Sequence, residues 1–299
     1  MEHERVDTLS RESERQAEAP APAFDERTLA FDCGGARLYG ILTLPAVTCG
    51  RGVLVVVGGP QYRAGSHRQF TLLARALARD GIPAMRFDYR GMGDSEGEAR
   101  SFEAVGDDLR AAVDAFFEAV PGLREVVLWG LCDGASAAAM YAPSDRRVCG
   151  LVLLNPWVRT ADGLARTTLR HYYRQRLAER SFWSGLLRGR FDLAGSLKSM
   201  FGLVRTALAP ASPSPAASLP ERMQAALAAF GGRLMVITGG ADLTGREFCD
   251  LAAAAPAWKQ LLGAPRVTRH ELDGADHTFS RREWRDQVAA WTSAWVRSW

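Results

Sequence analysis

A cysteine in a glycine-rich turn is the first group in this sequence that could do covalent chemistry. Cys132 lies at the centre of Gly130-Leu131-Cys132-Asp133-Gly134, which has the G-x-S-x-G form of a nucleophile elbow with cysteine in place of serine. A strand-like run at 126–129 precedes it and an alanine-rich helical run follows. The glycines let strand and helix pass closely at a strained turn, and the amino end of the helix favours a thiolate. The pattern predicts acyl transfer through a thioester.

Two further groups complete a catalytic set in chain order. Asp242 follows a predicted strand at 234–237, and His277 lies in a loop beyond the last predicted strand. Both can therefore meet Cys132 at one edge of a sheet. We predict that His277 moves the proton and that Asp242 orients the imidazole. Asp273 and Asp276, in the histidine's own loop, are the rival carboxylates, and we expect them to shape that turn.

An acyl-transfer site also needs N–H donors for the developing oxyanion. The backbone N–H of Asp133, next after the nucleophile, is one by position. The other should come from the loop after the strand at 53–57, which reads Gly-Gly-Pro-Gln-Tyr. Pro60 has no N–H, so Gln61 is the first choice and Gly59 the second. A simple Gly-Gly-Pro turn explains the same residues equally well.

Each member of this set also has a plain structural explanation. Cys132 could be a buried cysteine in a tight turn, Asp242 a turn former, and His277 a solvated loop residue. The joint match of residue type, order and position favours catalysis, because all three explanations would otherwise have to hold together.

Composition narrows the class of protein. The chain has 299 residues, 47% of them hydrophobic, and a net charge of +3, which is too small to indicate nucleic-acid binding. Five cysteines without a C-x-x-C pair predict neither a disulfide framework nor a metal site, so a reducing cytoplasm fits best. The predicted chemistry needs no cofactor. No apolar run reaches the roughly 18 residues that span a bilayer.

The order of elements predicts an α/β fold with a doubly wound, mostly parallel sheet. An opening hairpin turns at Gly34-Gly35, and strands then alternate with helices, one of which has the capping-box spacing of Ser66 and Gln69. We predict a flexible tail at 1–22, a core at 23–158 and 232–299, and an inserted helical cap at 159–231. A terminal helix should pack on the sheet through its tryptophans.

The sequence resembles the α/β-hydrolase superfamily. Residues 86–95, Arg-Phe-Asp-Tyr-Arg-Gly-Met-Gly-Asp-Ser, resemble the R-x-D-x-R-G-x-G-x-S loop of many members. Stretches at 58–63, 130–133 and 153–159 resemble hydrolases associated with bacterial exosortase A systems, which implies a link to exopolysaccharide production and surface-protein sorting with no assigned substrate. Cysteine replaces the usual serine, as in elbows of dienelactone hydrolases and polyester synthases, and Val57 stands where many members have histidine.

The predicted cap is strongly basic, with eleven Lys or Arg residues against four acidic ones and a net charge of +7. Its basic residues are Arg159, Arg166, Arg170, Arg174, Arg176, Arg180, Arg188, Arg190, Lys198, Arg205 and Arg222. This charge would attract an anionic acyl carrier, a charged glycan or an anionic membrane surface. A solvated helical face explains it as well.

We therefore predict a cytoplasmic hydrolase that cleaves an ester or thioester of a small-molecule or carrier-linked acyl substrate through an acyl-Cys132 intermediate. One alternative is an acyltransferase that passes the same acyl group to an alcohol or amine, since water exclusion by the cap would decide the acceptor. Another is a binding protein that keeps the fold without catalysis. The sequence indicates no oligomeric state.

Overall fold

The computed structural model describes residues 24–59, 61–158 and 217–299. The predicted tail at 1–22 and most of the predicted cap, 159–216, lie outside the described residues, so both assignments stay predictions.

Eight strands form one sheet in the order β1-β2-β4-β3-β5-β6-β7-β8. The hairpin strands β1 and β2 are antiparallel, β2 pairs antiparallel with β4, and all pairs from β4 to β8 are parallel. The mostly parallel α/β sheet that the sequence predicts is thus confirmed. In chain order the strands are β1 (Phe24–Cys33), β2 (Ala36–Pro45), β3 (Arg51–Val56), β4 (Ala84–Asp88), β5 (Glu125–Leu131), β6 (Val148–Leu154), β7 (Arg233–Gly239) and β8 (Val267–Leu272).

Helices connect and cover these strands. They are α1 (Gln69–Arg79), α2 (Gly106–Ala119), α3 (Asp133–Tyr141), α4 (Leu219–Ala229), α5 (Leu243–Ala254), α6 (Pro256–Leu262) and α7 (Arg282–Val296). Short 3-10 turns occupy Ser66–Arg68, Phe102–Ala104 and Ala142–Ser144. Helix α4, at the end of the predicted cap, packs against α3 and α6 and buries Met223 and Leu227.

The predicted capping box at the start of α1 is wrong. The helix begins at Gln69 without a side-chain cap, after two residues with positive φ, His67 and Arg68. The carbonyl of Ala64 instead accepts from the N–H groups of Phe70 and Thr71, at 3.1 and 3.4 Å. These free amides of the first turn are therefore satisfied by the backbone of the preceding loop.

The central strands are buried on both faces, which explains their continuous apolar runs. All residues of the run Val53–Val57 are fully buried. The terminal helix α7 packs on the sheet as predicted: a Cβ added at Gly150 in β6 would lie 3.1 Å from the Trp295 ring. The ring thus occupies the space that the glycine leaves open.

The strand order reverses at β3, which lies between β4 on one side and β5 on the other. Strands β3 and β5 are parallel neighbours, so the loops after Val56 and Leu131 emerge together at the carboxyl edge. Open α/β sheets bind their ligands at such a point. The loops after β6 and β7 reach the same edge.

Candidate active site

Cys132 occupies the turn between β5 and α3. Its backbone has φ 60° and ψ −125°, a strained conformation for a residue with a side chain. A Cβ at Gly130 would lie 2.5 Å from the carbonyl carbon of Gly134. The two glycines are therefore required for strand and helix to pass at this turn, as the sequence predicts.

The backbone of Cys132 is held by the end of the neighbouring strand β6. Its N–H donates to the carbonyl of Leu154 at 2.9 Å, and its carbonyl accepts from the N–H of Trp157 at 3.1 Å. The hydroxyl of Ser136 in turn donates to the carbonyl of Trp157 at 2.6 Å. Cys132 is partly exposed, and hydrogen bonds to Leu154 and Trp157 fix its backbone.

Asp242 and His277 meet as predicted. Asp242 follows β7 and caps α5, where its Oδ2 accepts from the N–H of Gly245 at 2.8 Å. Its Oδ1 lies 2.9 Å from Nδ1 of His277. Asp242 is 6% exposed, whereas the His277 side chain is 37% exposed. The hydrogen bond from Gly245 holds the buried Asp242 carboxylate in place, and this carboxylate in turn fixes the orientation of the imidazole.

The pKa of His277 is raised from 6.5 to about 10. The hydrogen bond to Asp242 is the largest cause, a hydrogen bond with the Cys132 side chain is the next, and burial opposes both. The imidazole is therefore protonated at neutral pH. Since Nδ1 serves Asp242, Nε2 is the atom available to Cys132.

The loop after β3 touches the elbow. A Cβ at Gly58 would lie 2.3 Å from Oδ1 of Asp133 and 2.5 Å from the backbone nitrogen of Gly134. Asp133 is the first residue of α3, so its N–H has no acceptor within the helix. Gln61 lies farther along this loop, where its Oε1 accepts from the N–H of Ser66 at 3.4 Å. Its predicted backbone contact with an oxyanion stays a prediction, as does that of Gly59.

Asn155 is a residue that the sequence reasoning left without a role. It is fully buried just after β6, with a positive φ of 41°. Its Nδ2 donates to the carbonyl of His277 at 3.1 Å, and its Oδ1 accepts from the N–H of Gly239 at 2.8 Å. The side-chain amide of Asn155 therefore connects the loop that carries His277 to Gly239 at the end of β7, three residues before Asp242.

Arg63 and Asp88 form a pair that the sequence patterns did not indicate, and this pair anchors the loop after β3. The N–H of Arg63 donates to Oδ1 of the fully buried Asp88 at 2.6 Å, and its guanidinium binds Oδ2 of the same carboxylate and Oδ2 of Asp94. The hydroxyl of Ser95 donates to the carbonyl of Asp88 at 2.6 Å. The motif at 86–95 thus holds the loop that carries Gln61.

The rival carboxylate Asp276 shapes its own turn, as expected. Its Oδ1 accepts from the N–H groups of Thr278 and Ser280, at 3.2 and 2.9 Å, and its Oδ2 accepts from the Ser280 hydroxyl. The hydrogen bond at Nδ1 of His277 goes to Asp242.

A model of the alpha/beta hydrolase family matches residues 53–291, which is most of the chain and includes Cys132, Asp242 and His277. The chain belongs to the alpha/beta hydrolase family. Within this family fold, Cys132, Asp242 and His277 follow β5, β7 and β8 in turn.

Solved structures with this alpha/beta hydrolase fold are similar over nearly the whole chain. Pyrococcus furiosus esterase Pf2001 is 14% identical with a TM-score of 0.62, covering 92% of each chain. The esterase domain of a Rhodothermus marinus protein is 19% identical with a TM-score of 0.58, covering 91% of this chain and 98% of that one. Hypothetical protein PA2218 from Pseudomonas aeruginosa is 19% identical with a TM-score of 0.58, covering 92% and 95%. At these identities the likeness shows the fold. No curated protein matches the sequence.

The described part of this alpha/beta hydrolase contains neither a metal-binding cluster nor a membrane-spanning helix. Across 24–59, 61–158 and 217–299, no cluster of three or more His, Cys, Asp or Glu residues is arranged to hold a metal ion. Within the same ranges, no helix has the length and apolar character needed to cross a bilayer.

Proposed function

We propose that this alpha/beta hydrolase cleaves an ester or thioester bond through an acyl-Cys132 intermediate. The observation that carries the proposal is the arrangement of Asp242, His277 and Cys132: Oδ1 of Asp242 lies 2.9 Å from Nδ1 of His277, and the Cys132 side chain adds to the raised pKa of His277. It joins a carboxylate, an imidazole and a nucleophile that are far apart in sequence, at the edge of the sheet where such folds bind ligands.

In this scheme Cys132 reacts as a thiolate, and the His277 imidazolium, favoured by its raised pKa, supplies the proton for the leaving group. In the first step the sulfur of Cys132 attacks the acyl carbon, and the carbonyl oxygen becomes an oxyanion. The intermediate then collapses, the bond to the leaving oxygen or sulfur breaks, and Nε2 of His277 gives its proton to that atom. Asp242 stays ionised and keeps the ring oriented.

Water completes the cycle. The neutral imidazole of His277 takes a proton from a water molecule, whose oxygen attacks the thioester carbon. The C–S bond breaks, the acid leaves, and the thiolate of Cys132 and the imidazolium of His277 are restored. If an alcohol or amine took the place of water, the same steps would make the protein an acyltransferase.

The N–H of Asp133 is the first donor to the oxyanion in this scheme, because the amino end of α3 leaves it without a helical acceptor. The N–H of Gln61 is the second, with Gly59 as the alternative. The close approach of Gly58 to Asp133 and Gly134 supports a donor from this loop.

Esterase activity in two structurally similar proteins agrees with an ester substrate. Resemblance at 58–63, 130–133 and 153–159 to exosortase-associated hydrolases supports, within this proposal, a role linked to exopolysaccharide production and surface-protein sorting. The basic charge of 159–222 favours an anionic or carrier-linked acyl donor or contact with an anionic membrane surface, and the cysteine content favours the cytoplasm.

Mass spectrometry of the intact protein after brief exposure to activated esters and acyl thioesters tests the proposal. We expect one acyl adduct, mapped to Cys132, which disappears in Cys132→Ala, while Cys49→Ser, at an exposed cysteine, keeps it. Product analysis with and without an added alcohol separates hydrolysis from acyl transfer. An adduct on Cys49 instead of Cys132, or unchanged turnover in Cys132→Ala, would contradict the mechanism and favour a binding protein.

A further inference from the structure

A small cavity is lined by residues of α1, α7 and β5, together with Leu154 and Phe279. Its volume is about 10 Å³, which is room for one group of roughly water size. Three nitrogen-bearing side chains, Gln69, Trp129 and Arg285, line it together with four apolar ones. The lining includes no carboxylate.

All three nitrogen-bearing side chains present an unpaired donor. Nε2 of Gln69, Nε1 of Trp129 and Nε of Arg285 are buried and have no hydrogen-bond partner among the described residues. Gln69 is 6% and Trp129 2% exposed. Buried donors are seldom left unpaired, so three around one cavity indicate an occupant that accepts hydrogen bonds.

The charges around the cavity are positive. Gln69 is the first residue of α1 and Arg285 the fourth of α7, so the amino ends of two helices meet here beside a permanently charged guanidinium. Oδ1 of Asp286 lies 3.7 Å from Nε of Arg285, too far for a hydrogen bond, and its side chain is exposed. Its negative charge is therefore screened by solvent.

A water molecule fits these donors poorly. It can accept two hydrogen bonds and must then place two protons of its own, whereas a halide accepts from three donors and needs no acceptor. We propose that the cavity binds one small monovalent anion, chloride under ordinary conditions.

The position of this site links it to the histidine loop. Leu154, whose carbonyl accepts from the N–H of Cys132, lines the cavity, and so does Phe279, two residues after His277. A bound anion would hold α1, α7 and this loop together. The inference does not rest on the proposed reaction, because binding is measured without turnover.

Crystals grown with bromide in place of chloride give the direct test. We expect an anomalous peak within hydrogen-bonding distance of Gln69, Trp129 and Arg285. An ordered water there without anomalous signal, or a Gln69 amide turned so that its oxygen accepts from the other two groups, would overturn the proposal.

Thermal unfolding supplies an independent measurement on the full chain. At equal ionic strength, we expect a melting temperature higher by about 2 °C in sodium chloride than in sodium gluconate. Arg285→Gln and Gln69→Leu should lose this difference, and Arg282→Gln, an exposed arginine on the same helix, should keep it. Cys132→Ala should keep it too, which separates this site from catalysis. Equal melting temperatures in both salts for the unmodified chain would contradict anion binding.

Discussion

Nδ1 of His277 lies 2.9 Å from Oδ1 of Asp242, and this contact joins a half-exposed loop to a carboxylate that is almost fully buried. The burial matters because a carboxylate away from water acts strongly on a cationic neighbour. It makes Asp242 the main reason for the high pKa of His277.

The first prediction concerns the pH dependence of activity. We expect kcat/KM to fall as the pH rises through about 10, because the His277 imidazolium protonates the leaving group. Asp242→Asn should move this alkaline limb to lower pH, since it removes the largest cause of the raised pKa. Asp273→Asn, in the same loop as the histidine, is the matched control and should leave the limb in place. The reverse result would assign the orienting role to Asp273.

The second prediction concerns stability. The folded pKa of His277, about 10, exceeds its ordinary 6.5, so its contribution is fully present below pH 6.5 and is lost as the pH rises through about 10. Chemical denaturation of the unmodified chain and of His277→Asn should show a difference in the free energy of unfolding that shrinks over this interval. A difference that is constant with pH would show that the proton on His277 is not linked to folding.

The third prediction assigns Asn155 a positioning role. Asn155→Ala leaves the carbonyl of His277 and the N–H of Gly239 without their partner, so the histidine loop should shift relative to Asp242. We expect kcat to fall by roughly 10- to 100-fold with little change in KM. The alkaline limb should also move to lower pH.

A control separates this role from general destabilisation. Ser293→Ala breaks a partly buried hydrogen bond to Asp80 without touching the candidate site. It should lower the free energy of unfolding by about 1 kcal/mol and leave the pH profile unchanged. If both variants changed kcat alike, Asn155 would be a structural residue only.

The fourth prediction concerns the loop after β3. Arg63→Gln leaves the fully buried Asp88 without its cation, so we expect a loss of about 3–5 kcal/mol in stability and a lower kcat. The double variant with Asp88→Asn should recover part of that stability. Arg27→Gln, which breaks an exposed pair with Asp25, should cost at most about 1 kcal/mol. Equal losses in the two single variants would refute the anchoring role.

The elbow and the sheet could be predicted because their signals are local. Glycines two residues either side of Cys132 report a crossing of strand and helix, and the apolar run at 53–57 reports a strand buried on both faces. The meeting of Asp242 with His277 followed from topology, since residues that follow parallel strands reach the same edge.

Asn155 and Arg63 could not be found in this way. The partners of Asn155 lie 84 and 122 residues away, and no spacing encodes which buried amide will meet which carbonyl. The capping boxes show the same limit. Ser218 and Glu221 form one at α4, whereas Ser66 does not form the one predicted at α1 because the carbonyl of Ala64 already takes that place.

The crowding around the elbow constrains how this chain can change. A Cβ at Gly134 would lie 2.5 Å from the carbonyl oxygen of Val56, and one at Gly58 would meet Asp133, but the sulfur of Cys132 can be exchanged for oxygen without adding an atom. The exchange Cys132→Ser therefore samples a different reactivity on an intact scaffold. A library randomised at the glycines samples chains that fail to assemble, so this catalyst is easier to retune than to rebuild.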